Sequence, residues 1–138
     1  MKLTANNLRK RIKNTFIEKL DIHFVETDEG NTLEATMIAA PDMTQTLGVL
    51  HGGVTISLAE SVAGVASNQI CESDERCFGM QISASHMRSV QIGDTIRAVA
   101  TIQHKGRSTH VWNVDIFSES TGKLVSSVRV TNAVTKKK

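Results

Sequence analysis

Apolar residues recur at helical spacing in two parts of the chain. Close to the N-terminus they fall on every fourth position among basic neighbours, at Leu8, Ile12, Phe16 and Leu20. This spacing predicts an amphipathic helix over residues 5–20 with a solvated basic face. A second apolar stripe comprises Val54, Leu58, Val62 and Val65. It predicts a longer, largely buried helix over residues 53–70, because that segment carries a single charged side chain.

The remaining pattern alternates between apolar and polar positions, as in strands that bury one face. Two short strands flank a turn signal at residues 28–31, and four longer alternating segments follow the second helix. These four segments occupy residues 77–90, 94–105, 108–119 and 123–134. Short turns between them predict an antiparallel meander. Because no strand alternates with a helix in the βαβ manner, we predict an α+β fold in which six antiparallel strands wrap around the second helix.

Length and composition favour one folded domain covering residues 1–138. With 40% hydrophobic and 22% charged residues, the chain has the composition of a globular protein. A formal net charge of +2 and few aromatic residues argue against nucleic-acid binding. The sequence contains no uninterrupted apolar segment that would export or anchor it. We therefore expect a cytoplasmic protein with no membrane partner and with Cys71 and Cys77 reduced.

Glu60 is the charged residue within the second predicted helix. At about 100° per residue it faces away from the apolar stripe, among the small residues Gly53, Ser57 and Gly64. No Lys or Arg occurs between residues 41 and 75 to neutralise it. A solvent-exposed helical glutamate would also account for this acid. Because a shielded carboxylate with no counter-charge is costly, the pattern favours a functional acid facing a ligand or a partner subunit.

Gly52 and Gly53 open this helix directly after His51. The first N–H groups of a helix lack intrahelical acceptors and lie at its positive end, so they can stabilise a developing oxyanion. Glycine also lets a carbonyl group approach the backbone closely. His51 and the earlier Gln45 could orient water or a leaving group. The alternative is a glycine pair that serves simply to start the helix.

His86 and Arg88 lie two positions apart in a predicted strand and would share one face, as a polar substrate contact or as a solvated rim. None of the five histidines forms H-x-x-x-H or H-E-x-x-H, so we expect no metal site. No G-x-S-x-G motif offers a serine nucleophile. A hydrolytic reaction would therefore use the carboxylate itself or water activated by it.

Three segments of the chain carry a family resemblance: QTLGVLHGGVTISLAES, SASHMRS and GRSTHVWNVDIF. Together they resemble the hot-dog-fold acyl-CoA thioesterases, in the branch that includes 1,4-dihydroxy-2-naphthoyl-CoA thioesterase and the enterobactin-pathway proofreading thioesterase. The resemblance extends over about residues 15–134. It implies a central helix wrapped by an antiparallel sheet. It also implies homodimers with joined sheets and shared active sites, and the pairing of such dimers into a homotetramer.

The resemblance assigns catalytic roles to four residues. The Gly52 N–H would polarise the thioester carbonyl group, and Glu60 of the neighbouring subunit would attack that carbonyl or activate a water molecule. His51 and Gln45 would position the thioester, the water or the leaving thiolate. No cofactor is implied, since coenzyme A is part of the substrate.

Substrate contacts are implied at three further places. His86 and Arg88 match residues near the acyl pocket or substrate channel. The turn formed by Lys105, Gly106 and Arg107 matches the region that receives the nucleotide end of coenzyme A. Gly64 stands where close relatives have a serine that helps to hold water, which implies altered water placement or a larger acyl pocket.

Two other functions fit the same residues. One is a hot-dog hydratase or dehydratase, and the other is an acyl-CoA binder without turnover. The H-G-G motif with a downstream Glu60 favours hydrolysis of a small aromatic or medium-chain acyl-CoA to the free acid and CoA.

Overall fold

The computed structural model describes residues 5–25 and 30–137. The helices are α1 (Ala5–Ile12), α2 (Phe16–Lys19) and α3 (Gly52–Ile70), with a 3-10 turn at Pro41–Met43. The strands are β1 (His23–Val25), β2 (Thr32–Ile38), β3 (Glu75–His86), β4 (Thr95–Lys105), β5 (Thr109–Ser118) and β6 (Leu124–Lys136). The predicted α+β architecture of six antiparallel strands and one long helix is confirmed. Residues 28 and 29 of the predicted turn at residues 28–31 lie outside the described residues.

The N-terminal helix predicted over residues 5–20 is wrong as a single element, because it is broken into α1 and α2. Asn14 adopts a left-handed conformation with φ of 63°, which ends α1. Thr15 then caps α2, since its side chain accepts a hydrogen bond from the Glu18 N–H. The apolar residues thus keep their four-residue spacing although the helix is interrupted at Asn14 and Thr15.

The sheet has the strand order β1-β2-β4-β5-β6-β3, and all its pairings are antiparallel. Strands β4, β5 and β6 form the predicted meander, but the prediction that β3 continues it is wrong. The strand β3 pairs with β6 at the far edge, because β2 occupies the edge of β4 where β3 would have paired. This arrangement leaves one side of β3 without a partner strand among the described residues.

Helix α3 packs against strands β2 to β6 of the sheet and begins one residue before its predicted start. Leu58, Val62 and Val65 of the predicted stripe are buried in the main core. Burying a branched aliphatic side chain contributes about 1.5–3 kcal/mol, so this stripe is the main force that holds α3 on the sheet.

A buried polar cluster supplements this apolar contact near the C-terminal end of α3. The Ser67 Oγ accepts hydrogen bonds from Trp112 Nε1 at 2.7 Å and from Asn132 Nδ2 at 2.8 Å. Since both acceptor positions of the hydroxyl are then occupied, its proton is donated to His110 Nδ1 at 2.9 Å. His110 is therefore held as a neutral ring, and burial, with a smaller contribution from Lys105, lowers the pKa of His110 below 6.5.

The cluster predicts a pH dependence of stability. His110 takes up a proton near pH 6.5 in the unfolded chain but only at a lower pH in the folded chain. The neutral ring therefore contributes its full stabilisation above pH 6.5, and this contribution is lost as the pH falls below that value. The slope should reach at most about 1.4 kcal/mol per pH unit. Urea unfolding between pH 7.5 and 5.5 measures it. His110→Gln should flatten this slope, whereas His23→Gln, at an exposed position on β1 that does not contribute to the His110 pKa, should leave it unchanged. Equal slopes in wild type and His110→Gln would contradict the assignment.

Candidate active site

His51 forms the N-cap of α3. Its backbone is extended, with φ of −66° and ψ of 130°, and its Nδ1 accepts a hydrogen bond from the Gly53 N–H at 2.8 Å. This contact satisfies one of the N–H groups that a helix leaves without an intrahelical acceptor. Because Nδ1 accepts, the ring of neutral His51 carries its proton on Nε2.

The Gly52 N–H is left free by these capping contacts. The Gly53 N–H is bound to the His51 side chain and the Val54 N–H to the His51 carbonyl oxygen at 2.9 Å. For Gly52 itself, the described part of the chain provides no acceptor. An N–H at the positive end of a 19-residue helix is a suitable donor to an oxygen that gains negative charge.

His86 lies directly against this helix end. It is the last residue of β3, and its Nε2 is 2.8 Å from the point where a Cβ on Gly52 would lie. Its Nδ1 is 2.7 Å from Oγ of Ser126, which is buried on the adjacent strand β6. The sequence pattern did not single out Ser126, because one serine within an alternating strand carries no distinguishing signal.

Gln45 lies in a tight turn beside the start of α3. Its N–H donates to Val49 O at 2.9 Å, and its carbonyl oxygen accepts from Gly48 N at 3.0 Å. Gly48 has φ of 83°, which the turn requires. The side-chain oxygen of Gln45 accepts from the Leu47 N–H, so the amide NH2 group is the part of Gln45 that remains for a ligand.

Glu60 projects from the middle of α3 toward β3. The side chain is exposed, and its Oε2 is 2.5 Å from the position that a Cβ on Gly79 would occupy. Within the described residues, Glu60 has neither a hydrogen-bond nor an ion-pair partner. The prediction that Glu60 faces away from the core is therefore confirmed, whereas the expected shielding of its carboxylate from water is not present within this single chain. The sequence could not reveal that Gly79 provides the space for its carboxylate.

A groove of about 690 Å³ extends from Glu60 between α3, the start of β3 and the N-terminal helices. Its apolar wall includes Leu8, Ile12 and Val65, and Gly64 lies on its floor. No heavy atom lies within 4 Å of the point where a Cβ on Gly64 would be, so the missing side chain enlarges the groove.

Glu60 and Gly52 are separated along the same helix. They are eight residues apart, which corresponds to a rise of about 12 Å. A thioester carbonyl bound at the Gly52 N–H is therefore out of reach of Glu60 in the same chain. His86 and Gly52 are at one end of β3, whereas Gly79 and Glu60 lie toward its other end.

The remaining predicted substrate contacts fall at different places. Arg88 lies beyond the end of β3, so the prediction that it shares a strand face with His86 is wrong; its Nη1 donates to Leu124 O at 2.7 Å. The chain reverses at Lys105, Gly106 and Arg107, where the Gly106 N–H donates to Thr109 O at 2.8 Å. Strand register places Thr109 level with Ala133, and Ala133 level with Phe78. This turn is thus two strand spacings, or about 10 Å, from the part of β3 beside Glu60.

A cysteine is a further potential nucleophile at the groove. Cys77 is among the residues that line the groove, but burial and the neighbouring Cys71 raise the pKa of Cys77 to about 12, so its thiol stays protonated. Across residues 5–25 and 30–137, no group of three or more His, Cys, Asp or Glu side chains is placed to hold a metal ion. None of the helices in the same residues is long and apolar enough to span a membrane.

Comparison with known families matches the Thioesterase superfamily over residues 47–125, from the Gln45 turn to the start of β6. The chain belongs to this superfamily. It is 36% identical over 133 residues to 1,4-dihydroxy-2-naphthoyl-CoA hydrolase of Escherichia coli, with 96% of each chain covered. It is 32% identical over 132 residues to proofreading thioesterase EntH of Cronobacter turicensis, covering 96% of this chain and 94% of that one.

The fold of this protein also matches solved thioesterase structures closely. A thioesterase from Haemophilus influenzae superimposes with a TM-score of 0.89 at 34% identity, covering 99% of this chain and 93% of the other. The hot-dog fold and the family resemblance expected from the sequence are therefore confirmed. The protein is a thioester hydrolase, as its relatives are.

The contact between Gly52 and His86 gives a direct prediction for Gly52→Ala. The added methyl group would lie 2.8 Å from His86 Nε2 and must displace the imidazole ring. Because a shift of about 1 Å in a reacting group can cost about 10²-fold in rate, we expect thioester hydrolysis to fall by that order. Thiol release measures the rate, and urea unfolding checks that the variant is folded. Unchanged hydrolysis would show that the ring position does not matter.

Proposed function

We propose that this thioesterase hydrolyses a small aromatic or medium-chain acyl-CoA, at an active site that two subunits share. The observation that carries the proposal is the separation of two complementary groups: a free N–H at Gly52 and an unpaired carboxylate at Glu60, about 12 Å apart on one helix. One group can receive negative charge and the other can supply or generate a nucleophile. Two antiparallel copies of α3 would bring the Glu60 of one chain to the Gly52 of the other.

The edge strand β3 offers the surface for such pairing. It is twelve residues long, lacks a partner on one side within the described residues, and exposes Phe78 and Met80 by 57% and 61%. Long apolar edges of this kind are normally covered, because they template pairing with another strand. Pairing of two β3 strands about a two-fold axis between Ile82 and Ser83 aligns Gly79 of one protomer with His86 of its partner.

This register also brings the two proposed catalytic groups together. Gly79 lies beside Glu60, and His86 lies beside Gly52. The carboxylate of one protomer would therefore face the helix N-terminus of the other across one strand spacing of about 4.8 Å. The same arrangement accounts for the small residues around Glu60, which leave room for a neighbouring chain and a substrate. Association of two such dimers into a tetramer is a further part of the proposal.

The reaction follows from these positions. The Gly52 N–H donates a hydrogen bond to the thioester oxygen as that oxygen gains negative charge, while Glu60 attacks the carbonyl carbon or removes a proton from a water that attacks it. The C–S bond of the tetrahedral intermediate then breaks, which gives an anhydride with Glu60 in the first route and the free acid in the second, and the CoA thiolate leaves and takes up a proton. In the first route water hydrolyses the anhydride and restores Glu60. His51 and the Gln45 amide position the thioester or the leaving sulfur.

The substrate would extend in two directions from this point. The groove beside Gly64 takes the acyl group, because Leu8, Ile12 and Val65 give it an apolar wall and its volume suits one aromatic ring system or a medium-length chain. His86 and Arg88 contact the substrate near the channel. Lys105, Gly106 and Arg107 bind the nucleotide phosphates, which their position about 10 Å from β3 and their charge support.

Thiol release from a panel of benzoyl-, naphthoyl- and fatty-acyl-CoAs tests the reaction. We expect Glu60→Gln, which keeps the size of the side chain but removes its charge, to lower kcat by at least about 10³-fold with little change in KM. Glu72→Gln, at an exposed acid just beyond the end of α3 and outside the groove, is the matched control. Equal rates for wild type and Glu60→Gln would remove Glu60 from the mechanism. Binding without thiol release would favour a binder, and hydration of enoyl-CoA would favour a hydratase.

A subunit-mixing experiment tests the shared site. Homodimers of Glu60→Gln and of Gly52→Ala are each expected to retain about 1% of the wild-type rate or less, but a mixed dimer contains one site with both native residues. Random reassembly after dilution from urea should therefore restore about a quarter of the wild-type rate, because half of the dimers are mixed and half of their sites are intact. Sedimentation should report a dimer or tetramer. A monomer, or mixtures no more active than their components, would contradict the shared site.

A further inference from the structure

The neighbourhood of Gly52 contains a second potential donor that sequence comparison does not assign. His86 Nε2 lies 2.8 Å from the Cβ position of Gly52. Because a Cβ is about 2.5 Å from its own backbone nitrogen, His86 Nε2 is within about 5 Å of the Gly52 nitrogen. Two donors that each bind one oxygen at 2.7–3.1 Å can be at most about 6 Å apart. The two nitrogens are therefore close enough to bind the same oxygen atom.

Whether His86 Nε2 carries a proton depends on Ser126. The Ser126 side chain is buried, with 2% exposure, and its Oγ is 2.7 Å from His86 Nδ1. Across the described residues, this is the one hydrogen-bond partner of that hydroxyl. If Nδ1–H donated to Oγ, the buried hydroxyl proton would be left without an acceptor. If Oγ donates to Nδ1, only lone pairs on oxygen remain unfilled, which is the less costly outcome.

We infer that Ser126 is a positioning residue for His86: its hydroxyl donates to Nδ1, fixes the proton on Nε2, and makes His86 a second donor beside the Gly52 N–H. The inference rests on the proposed function, in which a thioester oxygen binds at this helix end. It assigns this role to His86 and not to Arg88, whose side chain donates to the Leu124 carbonyl oxygen.

The position of the pair in the fold supports this role. His86 and Ser126 are register partners on adjacent strands, and both side chains are directed to the face of the sheet that carries α3. On the neighbouring position of β6, Ser127 instead binds Asp115 Oδ1 at 3.2 Å. Two adjacent serines thus serve different partners, and Ser127 provides a matched control for Ser126.

The tautomer can be measured without any substrate. Two-bond ¹H–¹⁵N correlation spectra of the labelled protein distinguish an Nε2–H ring from an Nδ1–H ring, with His86→Asn used to assign the signals. We expect neutral His86 to be the Nε2–H form in wild type and in Ser127→Ala, and a mixture of forms in Ser126→Ala. An Nδ1–H ring in the wild type would overturn the inference, whatever the enzymatic rate.

The kinetic test then separates positioning from folding. Ser126→Ala should lower kcat for a hydrolysed acyl-CoA by about tenfold with KM nearly unchanged, and Ser126→Thr, which retains the hydroxyl, should restore most of the rate. His86→Asn should cost about 10²-fold, and adding Ser126→Ala to it should cost nothing further. Full activity of Ser126→Ala, or independent effects in the double variant, would overturn the inference. Absence of thiol release from wild type would instead refute the proposed function.

Discussion

Two polar side chains near the end of α3 fix how the helix is turned on the sheet. Asn68 donates to the Cys77 carbonyl oxygen at 3.0 Å and accepts from the Cys77 N–H at 2.9 Å, so it binds β3 as another strand would. The adjacent Ser67 binds side chains from β5 and β6. Apolar packing alone tolerates small rotations of a helix, whereas these directional contacts do not. The rotation in turn decides that Glu60 faces Gly79 and that Gly64 faces the groove.

Much of this arrangement could be predicted from the chain because it is encoded locally. The apolar stripe of α3, the alternation of the strands and the isolated acid at Glu60 are patterns within short windows of sequence. The family resemblance added the hot-dog topology. What could not be predicted depends on contacts between distant segments. Alternation within β3 identifies a strand but does not identify β6 as its neighbour. It also does not show that the strand ends at His86, so the prediction that Arg88 lies within it is wrong.

Single residues with ordinary local signals account for the other differences. The left-handed Asn14 interrupts a helix whose apolar spacing continues without a break. Ser67, His110 and Ser126 are small or polar residues in otherwise regular elements, and their importance follows from burial and from the partners they meet. Sequence patterns report which face a residue lies on. They do not report whether a hydroxyl on that face meets an imidazole.

Gly79 illustrates how an absent side chain can specify a site. It lies on an exposed strand, has no polar group beyond its backbone, and its φ angle is not in the left-handed region that favours glycine. By the usual measures of burial and strain, evolution should accept many residues at this position. Yet any β-carbon there would occupy the volume that the Glu60 carboxylate fills. Substitutions at position 79, in natural or laboratory libraries, should therefore occur together with substitutions at position 60. Solvent exposure alone would overestimate how many residue types either position accepts.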